Sequence, residues 1–175
     1  MTALRKIFKN ATAAQSAVRD VLATIFAQEL LAPSRDLFIV APWVSNIMIL
    51  DNRQSQYTSL NPEWPRKEIR LIEVIVALTA TGAIVHVHTR PEPHNRSFLL
   101  RLEEALADSG VSDRCIRKEH VRLHTKGLLT DRVLLDGSMN LTESGVGLND
   151  EAVTVQFDKR AIADARVHFD SYERD

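Results

Sequence analysis

The run His124-Thr-Lys-Gly-Leu-Leu-Thr-Asp-Arg-Val-Leu-Leu-Asp-Gly-Ser-Met-Asn140 holds two short apolar segments on either side of Asp131, closed by Gly137 and Ser138. Residues 121–130 and 132–136 therefore predict two strands of a hairpin about Asp131. On a strand, His124 and Lys126 lie two apart, so their side chains leave one face. An imidazole beside a fixed ammonium suits attack on phosphorus, with the imidazole as nucleophile and the lysine neutralising phosphate oxygens. Gly137-Ser138-Met-Asn140 adds a tight turn, a hydroxyl and an amide, uncharged donors for the oxygens of a phosphodiester. Asp131 is placed to pin the turn.

Outward from this run, hydrophobic periodicity predicts helices and short buried strands in alternation. Ala14, Val18, Val21, Leu22, Ile25, Phe26 and Leu30 recur at helical spacing and predict a helix over 12–31, stopped by Pro33. Residues 36–41 are a nearly continuous apolar run, expected of a strand buried on both faces. Residues 47–50 are a brief apolar patch, and the polar stretch 51–65 carries no periodicity. Pro65 suits the first turn of a helix over 66–80. Residues 83–89 predict a strand, and Asn95 a cap for a helix running to about Asp108. An edge strand is expected at 114–118 and another strand at 152–157. Asp158 then caps a last helix with Ala161, Ile162, Ala165, Phe169 and Tyr172 on one face. The pattern is that of an α/β fold, helices layered on a mixed sheet, in one domain over residues 1–175.

Composition narrows the function classes. The chain has 175 residues, 45% hydrophobic and 26% charged, with 22 Lys+Arg against 23 Asp+Glu and a net charge of -1. No global field draws it to a polyanion, so any such binding needs a local patch. Arg114, Arg117, Lys118, Arg122 and Lys126 supply one as a run leading into His124, with Arg90, Arg96 and Arg101 as additions; a charge run is otherwise a solvated face. Trp43, Tyr57 and Trp64 flank the polar stretch, as base-stacking groups or as cover for the core or a dimer seam. His86 and His88 share a strand face but have no acidic or cysteine ligand at usual spacing, and are expected to be buried or edge-of-sheet histidines. The single cysteine, Cys115, excludes an intrachain disulfide and reads as a small apolar residue. Residues 11–32 are broken by Gln15, Arg19, Asp20, Gln28 and Glu29, against a secretory or membrane-spanning segment. A cytoplasmic location and no membrane association are the expectation.

His124-x-Lys126, four residues, Asp131, then Gly137-Ser138-x-Asn140 resembles the HKD signature of the phospholipase D superfamily. Five residues separate Asp131 from Gly137 where the family has about six. The continuation Asn140-Leu-Thr-Glu-Ser-Gly145 and Asn149-Asp-Glu151 is similar to the family as well. The resemblance implies a phospholipase D-like α-β-α sandwich around a mixed sheet. It implies His124 as a nucleophile forming a phosphohistidine, with Lys126, Ser138 and Asn140 binding phosphate. Asp131 would be mainly structural, and Glu151 would orient His124, with Asn149 in support. No metal and no cofactor are implied.

The family uses two such motifs, the second histidine serving as general acid and base. This chain has one, so a two-fold homodimer pairing two His124 residues is expected. The expected function is a metal-independent endonuclease cleaving nucleic acid, DNA ahead of RNA. The alternatives are a phospholipase or phosphatidyl transferase, and a non-catalytic nucleic-acid-binding subunit of a DNA-modification or defence system. The runs 39–43 and 137–142 also resemble the phospholipase D-like proteins found beside bacterial deazaguanine DNA-modification genes, which implies partner proteins of such a system.

Overall fold

The computed structural model describes residues 4–9 and 15–174. In chain order the elements are β1 (Leu4–Lys9), α1 (Gln15–Leu31), β2 (Asp36–Val40), β3 (Met48–Asp51), β4 (Glu68–Arg70), α2 (Leu71–Ala80), β5 (Ile84–Thr89), α3 (Pro93–Asp108), β6 (Cys115–Glu119), β7 (Gly127–Leu129), β8 (Leu134–Gly137), α4 (Glu143–Gly147), β9 (Glu151–Gln156) and α5 (Lys159–Ser171). Seven strands form one mixed sheet in the order β1-β9-β8-β7-β2-β5-β6. β2, β5 and β6 run parallel, while β7, β8, β9 and β1 continue the sheet antiparallel. β3 and β4 make a separate antiparallel pair.

Layering follows from side-chain alternation. On β2, Leu37 and Ile39 join the larger core with Leu22 and Phe26 of α1, Ile75 and Leu78 of α2, and Leu102 and Leu106 of α3. Phe38 and Val40 point the other way, into a smaller core with Leu129, Leu134, Ile162 and Phe169 of α5. The strand is thus buried on both faces, as its continuous apolar run requires. β5 divides likewise: Val85 and Val87 enter the larger core, while His86 and His88 face α5. The α-β-α sandwich expected from the sequence is the observed architecture.

Several boundaries differ from expectation, each for a physical reason. The first helix is described from Gln15; residues 12–14 of the expected span lie outside the described residues. The helix expected over 66–80 begins at Leu71, because Ile69 pairs with Leu50 in a strand. The Glu73 carboxylate accepts from Arg70 N at 3.0 Å and closes the first turn of α2. Asn95 does not cap α3: Pro93 takes the first turn, and Asn95 is a buried strut inside it. Asp158 caps α5 as expected, accepting from Arg160 N and Ala161 N at 3.1 and 3.0 Å. β7 starts only at Gly127, so His124 and Lys126 lie in the loop leading into it rather than on a strand. β1 and α4 had no sequence signal in the expected pattern.

Among the described residues, no helix is long and apolar enough to cross a membrane. Cys115 is buried, and burial pushes its thiol up to about 11.

Candidate functional site

The register of the sheet brings the motif to one end. Val40 pairs with both His88 and Gly127, Gly127 pairs with Asp136, and Gly137 with Val153. The carboxyl ends of β2, β5 and β8 and the amino ends of β7 and β9 therefore open on the same side. This is where parallel sheets place ligand sites.

His124 is exposed there, and Lys126 folds back so that its Nζ donates to the His124 carbonyl at 2.7 Å. Arg90, just past β5, holds the same loop by donating from Nε to Leu123 O at 2.6 Å. Burial and the nearby Arg90 charge hold the Lys126 ammonium below its ordinary pKa, while the Glu151 carboxylate acts in the opposite direction. A phosphate bound beside it would add negative charge and favour the ammonium form.

Two glycines permit the close packing behind these groups. At Gly137, with φ of 151°, an added Cβ would lie 2.1 Å from Ala152 O on β9. At Gly127 it would lie 2.7 Å from the Phe169 ring of α5. The close β8–β9 approach lets Ser138 N donate to Ala152 O at 3.1 Å, while Ala152 N donates to Ser138 Oγ at 3.1 Å. The Ser138 hydroxyl in turn donates to Glu151 Oε2. Its proton is thus committed within the chain, and Ser138 acts in this arrangement as a link to Glu151. Among the described residues no hydrogen bond joins Glu151 to His124, so the expected orienting bond is not part of this geometry.

Asn140 accepts from Trp43 N through Oδ1 at 3.3 Å, a bond that does not use its amide nitrogen. A cavity of about 390 Å³ opens beside it, lined by Trp43, Ser45, His94, Asn140, Thr142 and Asn149 among others. His94 Nε2 lies 2.9 Å from Ser45 Oγ. The wall is braced by Asn95, fully buried, which accepts from Val44 N at 2.9 Å and donates to Pro42 O and Arg90 O at 2.8 Å. His94 and Asn95 were not legible as site residues, and Arg90 was legible only as an addition to the basic run. The Pro93 that starts α3 two residues before Asn95 was the signal that Asn95 is not a cap.

Asp131 sits at the opposite end of the hairpin. Its carboxylate accepts from Arg35 N at 3.0 Å and from Arg166 at 2.7 Å, and its own N donates to Ser34 Oγ at 2.9 Å. It ties the β7–β8 turn to the start of β2 and to α5, a structural part, away from His124. The turn is closed by Thr130 N donating to Val133 O at 2.9 Å.

The basic run does not form one patch. Arg114 donates to Gly82 O at the other end of the sheet, Arg117 leans toward Glu103 of α3 at 3.9 Å, and Lys118 donates to the Glu173 carbonyl beyond α5. β-strand alternation separates Arg117 and Lys118 onto opposite faces. Trp64 is buried in the core, Tyr57 packs against it, and Trp43 is the aromatic that reaches the cleft. His86 and His88 are buried, as expected. Burial, only partly opposed by the Glu173 carboxylate, holds His88 down at about 4.

A family model described as "Cardiolipin synthase, PLD-like domain" matches residues 47–172. Among solved structures, NucT from Helicobacter pylori is similar at a TM-score of 0.65 and 12% identity, over 98% of this chain and 97% of that one. Nuc from Salmonella typhimurium, a phospholipase D family member, is similar at 0.61 and 14%, over 99% and 95%. The polyphosphate kinase from Porphyromonas gingivalis is similar at 0.65 and 13%, over 99% of this chain but 26% of that one. Among curated proteins none matches. With the family model spanning most of the chain and the motif residues gathered at one end of a sheet of this architecture, the chain belongs to the phospholipase D-like family.

Proposed function

We propose that the chain is a nuclease of this family that cleaves a phosphodiester, with DNA ahead of RNA, through a phosphohistidine and as a homodimer. The observation that carries the reading is the gathering of exposed His124, Lys126, Asn140 and the Ser138–Glu151 pair around one open sheet end. NucT, and Nuc, which is named as a phospholipase D family member, are of similar length and fold, which supports a compact phosphodiesterase of one domain.

In the proposed reaction a His124 ring nitrogen attacks phosphorus and the P–O bond to the leaving strand breaks. The imidazolium of a second copy's His124 gives its proton to the leaving oxygen. That imidazole then takes a proton from water, whose oxygen attacks phosphorus and releases His124. Lys126 and the Asn140 amide hold the non-bridging oxygens, and Arg90 fixes the loop that carries His124. Glu151, through Ser138, holds the end of β8 in register beneath them. Trp43 offers a face on which a base can stack in the adjoining cavity. Partner proteins of a DNA-modification or defence system would confine such an activity to its substrate.

The test is cleavage of single- and double-stranded DNA and RNA in EDTA, at a temperature where EDTA leaves the circular dichroism unchanged, beside His124→Ala. Cleavage that persists in EDTA and falls at least about a thousandfold in the variant is expected. An acid-labile phosphoryl adduct on His124 would accompany it. Equal cleavage by the variant would refute the assignment. The family model's description makes vesicles of phosphatidylglycerol the necessary second substrate: lipid turnover without nucleic-acid cleavage would replace this reading. Sedimentation should give a dimer; an active monomer would refute the pairing of two His124 residues.

A further inference from the structure

On the face of the sheet that α5 covers, β5 presents His86 and His88 to the end of that helix, where Glu173 turns inward. His86 Nδ1 lies 2.8 Å from Glu173 Oε1, and His88 Nε2 lies 2.9 Å from the same oxygen. The ligand atoms of all three residues lie within 4.8 Å of one another. We propose that His86, His88 and Glu173 bind a divalent transition-metal ion of the zinc type, which fastens the end of α5 to β5.

Geometry supports a cation at this point. His86 Nε2 lies 3.1 Å from Asp36 Oδ1, so the ring is set between two carboxylates, those of Asp36 and Glu173. His88 Nε2 meets the same oxygen but is not aligned for a hydrogen bond, and it is fully buried with no other partner among the described residues. One carboxylate oxygen drawn to two imidazole nitrogens, one of them off the hydrogen-bond line, is the arrangement a shared cation accounts for.

The outer contacts fit as well. Each proposed ligand nitrogen has its opposite ring nitrogen held: His86 Nε2 by Asp36, and His88 Nδ1 by His120 Nε2 at 3.0 Å. Metal-bound histidines are characteristically fixed in this way. Ligand atoms about 2.0–2.2 Å from a tetrahedral zinc stand roughly 3.3–3.5 Å apart, so each imidazole nitrogen need move only about half an ångström from the Glu173 oxygen. Two imidazoles and one carboxylate select zinc and its neighbours over magnesium or calcium, with water in the fourth position. The Lys118 ammonium is engaged by the Glu173 carbonyl.

The site reports to the catalytic loop without belonging to it. Tyr172, beside Glu173, donates its hydroxyl to Thr125 Oγ1 at 2.9 Å, and Thr125 lies between His124 and Lys126. The inference does not depend on the nuclease reading, because its readout is bound metal.

The test uses the whole chain without an affinity tag, stripped with EDTA, dialysed against zinc sulfate and freed of excess ion. Elemental analysis should find about one zinc per chain, and Tm should rise on loading. Glu173→Gln, which preserves shape, should bind zinc at least roughly tenfold more weakly and lose the Tm rise. Cobalt(II) in the wild-type chain should give the intense visible bands of a four-coordinate ion. Zinc retention no greater in the wild type than in Glu173→Gln, or in His86→Ala/His88→Ala, would overturn the proposal. So would cobalt bands of an octahedral, aqueous-like ion, a result that needs no variant to fold.

Discussion

Gly137→Ala is the sharpest structural perturbation the fold offers. A Cβ at this position would stand 2.1 Å from Ala152 O and 3.1 Å from both Ala152 C and Val153 Cα, where ordinary contact begins at 3.4 Å. All three atoms are backbone, so none can rotate aside, and β8 and β9 must part by about 1.3 Å or shift register. The adjacent bonds, Ser138 N to Ala152 O and Ala152 N to Ser138 Oγ, are both 3.1 Å long and would be lost. Two hydrogen bonds at about 0.5–1.5 kcal/mol each, with about 1–3 kcal/mol of backbone strain, give a destabilisation of about 2–6 kcal/mol. That is a large share of the roughly 5–15 kcal/mol a domain possesses. Urea unfolding followed by circular dichroism measures it, with the slope compared to confirm one transition. Gly110→Ala is the control: its φ is 67° but no atom lies within 4 Å, so only the left-handed strain of about 1–2 kcal/mol applies. If Gly137→Ala proved no more destabilising than Gly110→Ala, the close β8–β9 approach would be wrong, and with it the placement of Ser138 against Glu151.

Asp131→Ala should lose about 1–3 kcal/mol of stability, because its carboxylate holds Arg35 N and Arg166; cleavage per folded molecule should stay within a few-fold, and a collapse of turnover in a stable variant would return Asp131 to the chemistry. The Cys115 thiol is raised from 9.0 to about 11, so its contribution is complete below pH 9 and is lost as pH rises toward 11. Wild-type stability should therefore fall by about 2–3 kcal/mol more than that of Cys115→Ala across this window, and parallel pH profiles of the two proteins would refute the burial argument. Asn95→Ala removes three buried hydrogen bonds that brace Pro42, Val44 and Arg90, and should lower Tm by several degrees, with about 2–4 kcal/mol lost; an unchanged melt would show the strut to be idle. Trp43→Ala should weaken nucleic-acid binding by about 1–3 kcal/mol with little change in stability, since the indole is 41% exposed; fluorescence-anisotropy titration would detect unaltered affinity.

What was legible in the sequence was local. The apolar run of β2, the Asp158 cap and the apolar face of α5 each carry their signal within a few residues, and each stands where expected. The motif positions are local too, since they fall within the β7–β9 stretch of antiparallel pairing and the three residues before it. What escaped depended on distant partners. β1 has only Ile7 as a buried apolar residue and exists by pairing with β9. Ile69 counts toward a helical period, yet its strand partner Leu50 decides its state. His124 and Lys126 occupy the loop before β7 because pairing with β2 begins at Gly127. Arg90 and Asn95 reach the site through strand order, and Glu173 reaches His86 across 87 positions, which no spacing rule could signal.

The sheet order also implies a sequence of events in folding. β7, β8 and β9 are consecutive antiparallel neighbours, with Gly137 and Val153 paired across 16 positions, whereas β1 meets β9 only after a span of more than 140. By loop-closure entropy the second pairing carries about 2 kcal/mol more to nucleate, and contacts of such separation form late. The β7–β9 meander, which contains Ser138, Asn140 and Glu151, is thus expected to gain amide protection early in pulsed hydrogen exchange, and β1 afterwards. Simultaneous protection of both would refute this order. The nascent meander then exposes the β9 edge that β1 later covers, and this transient edge is where misassociation between refolding chains should begin.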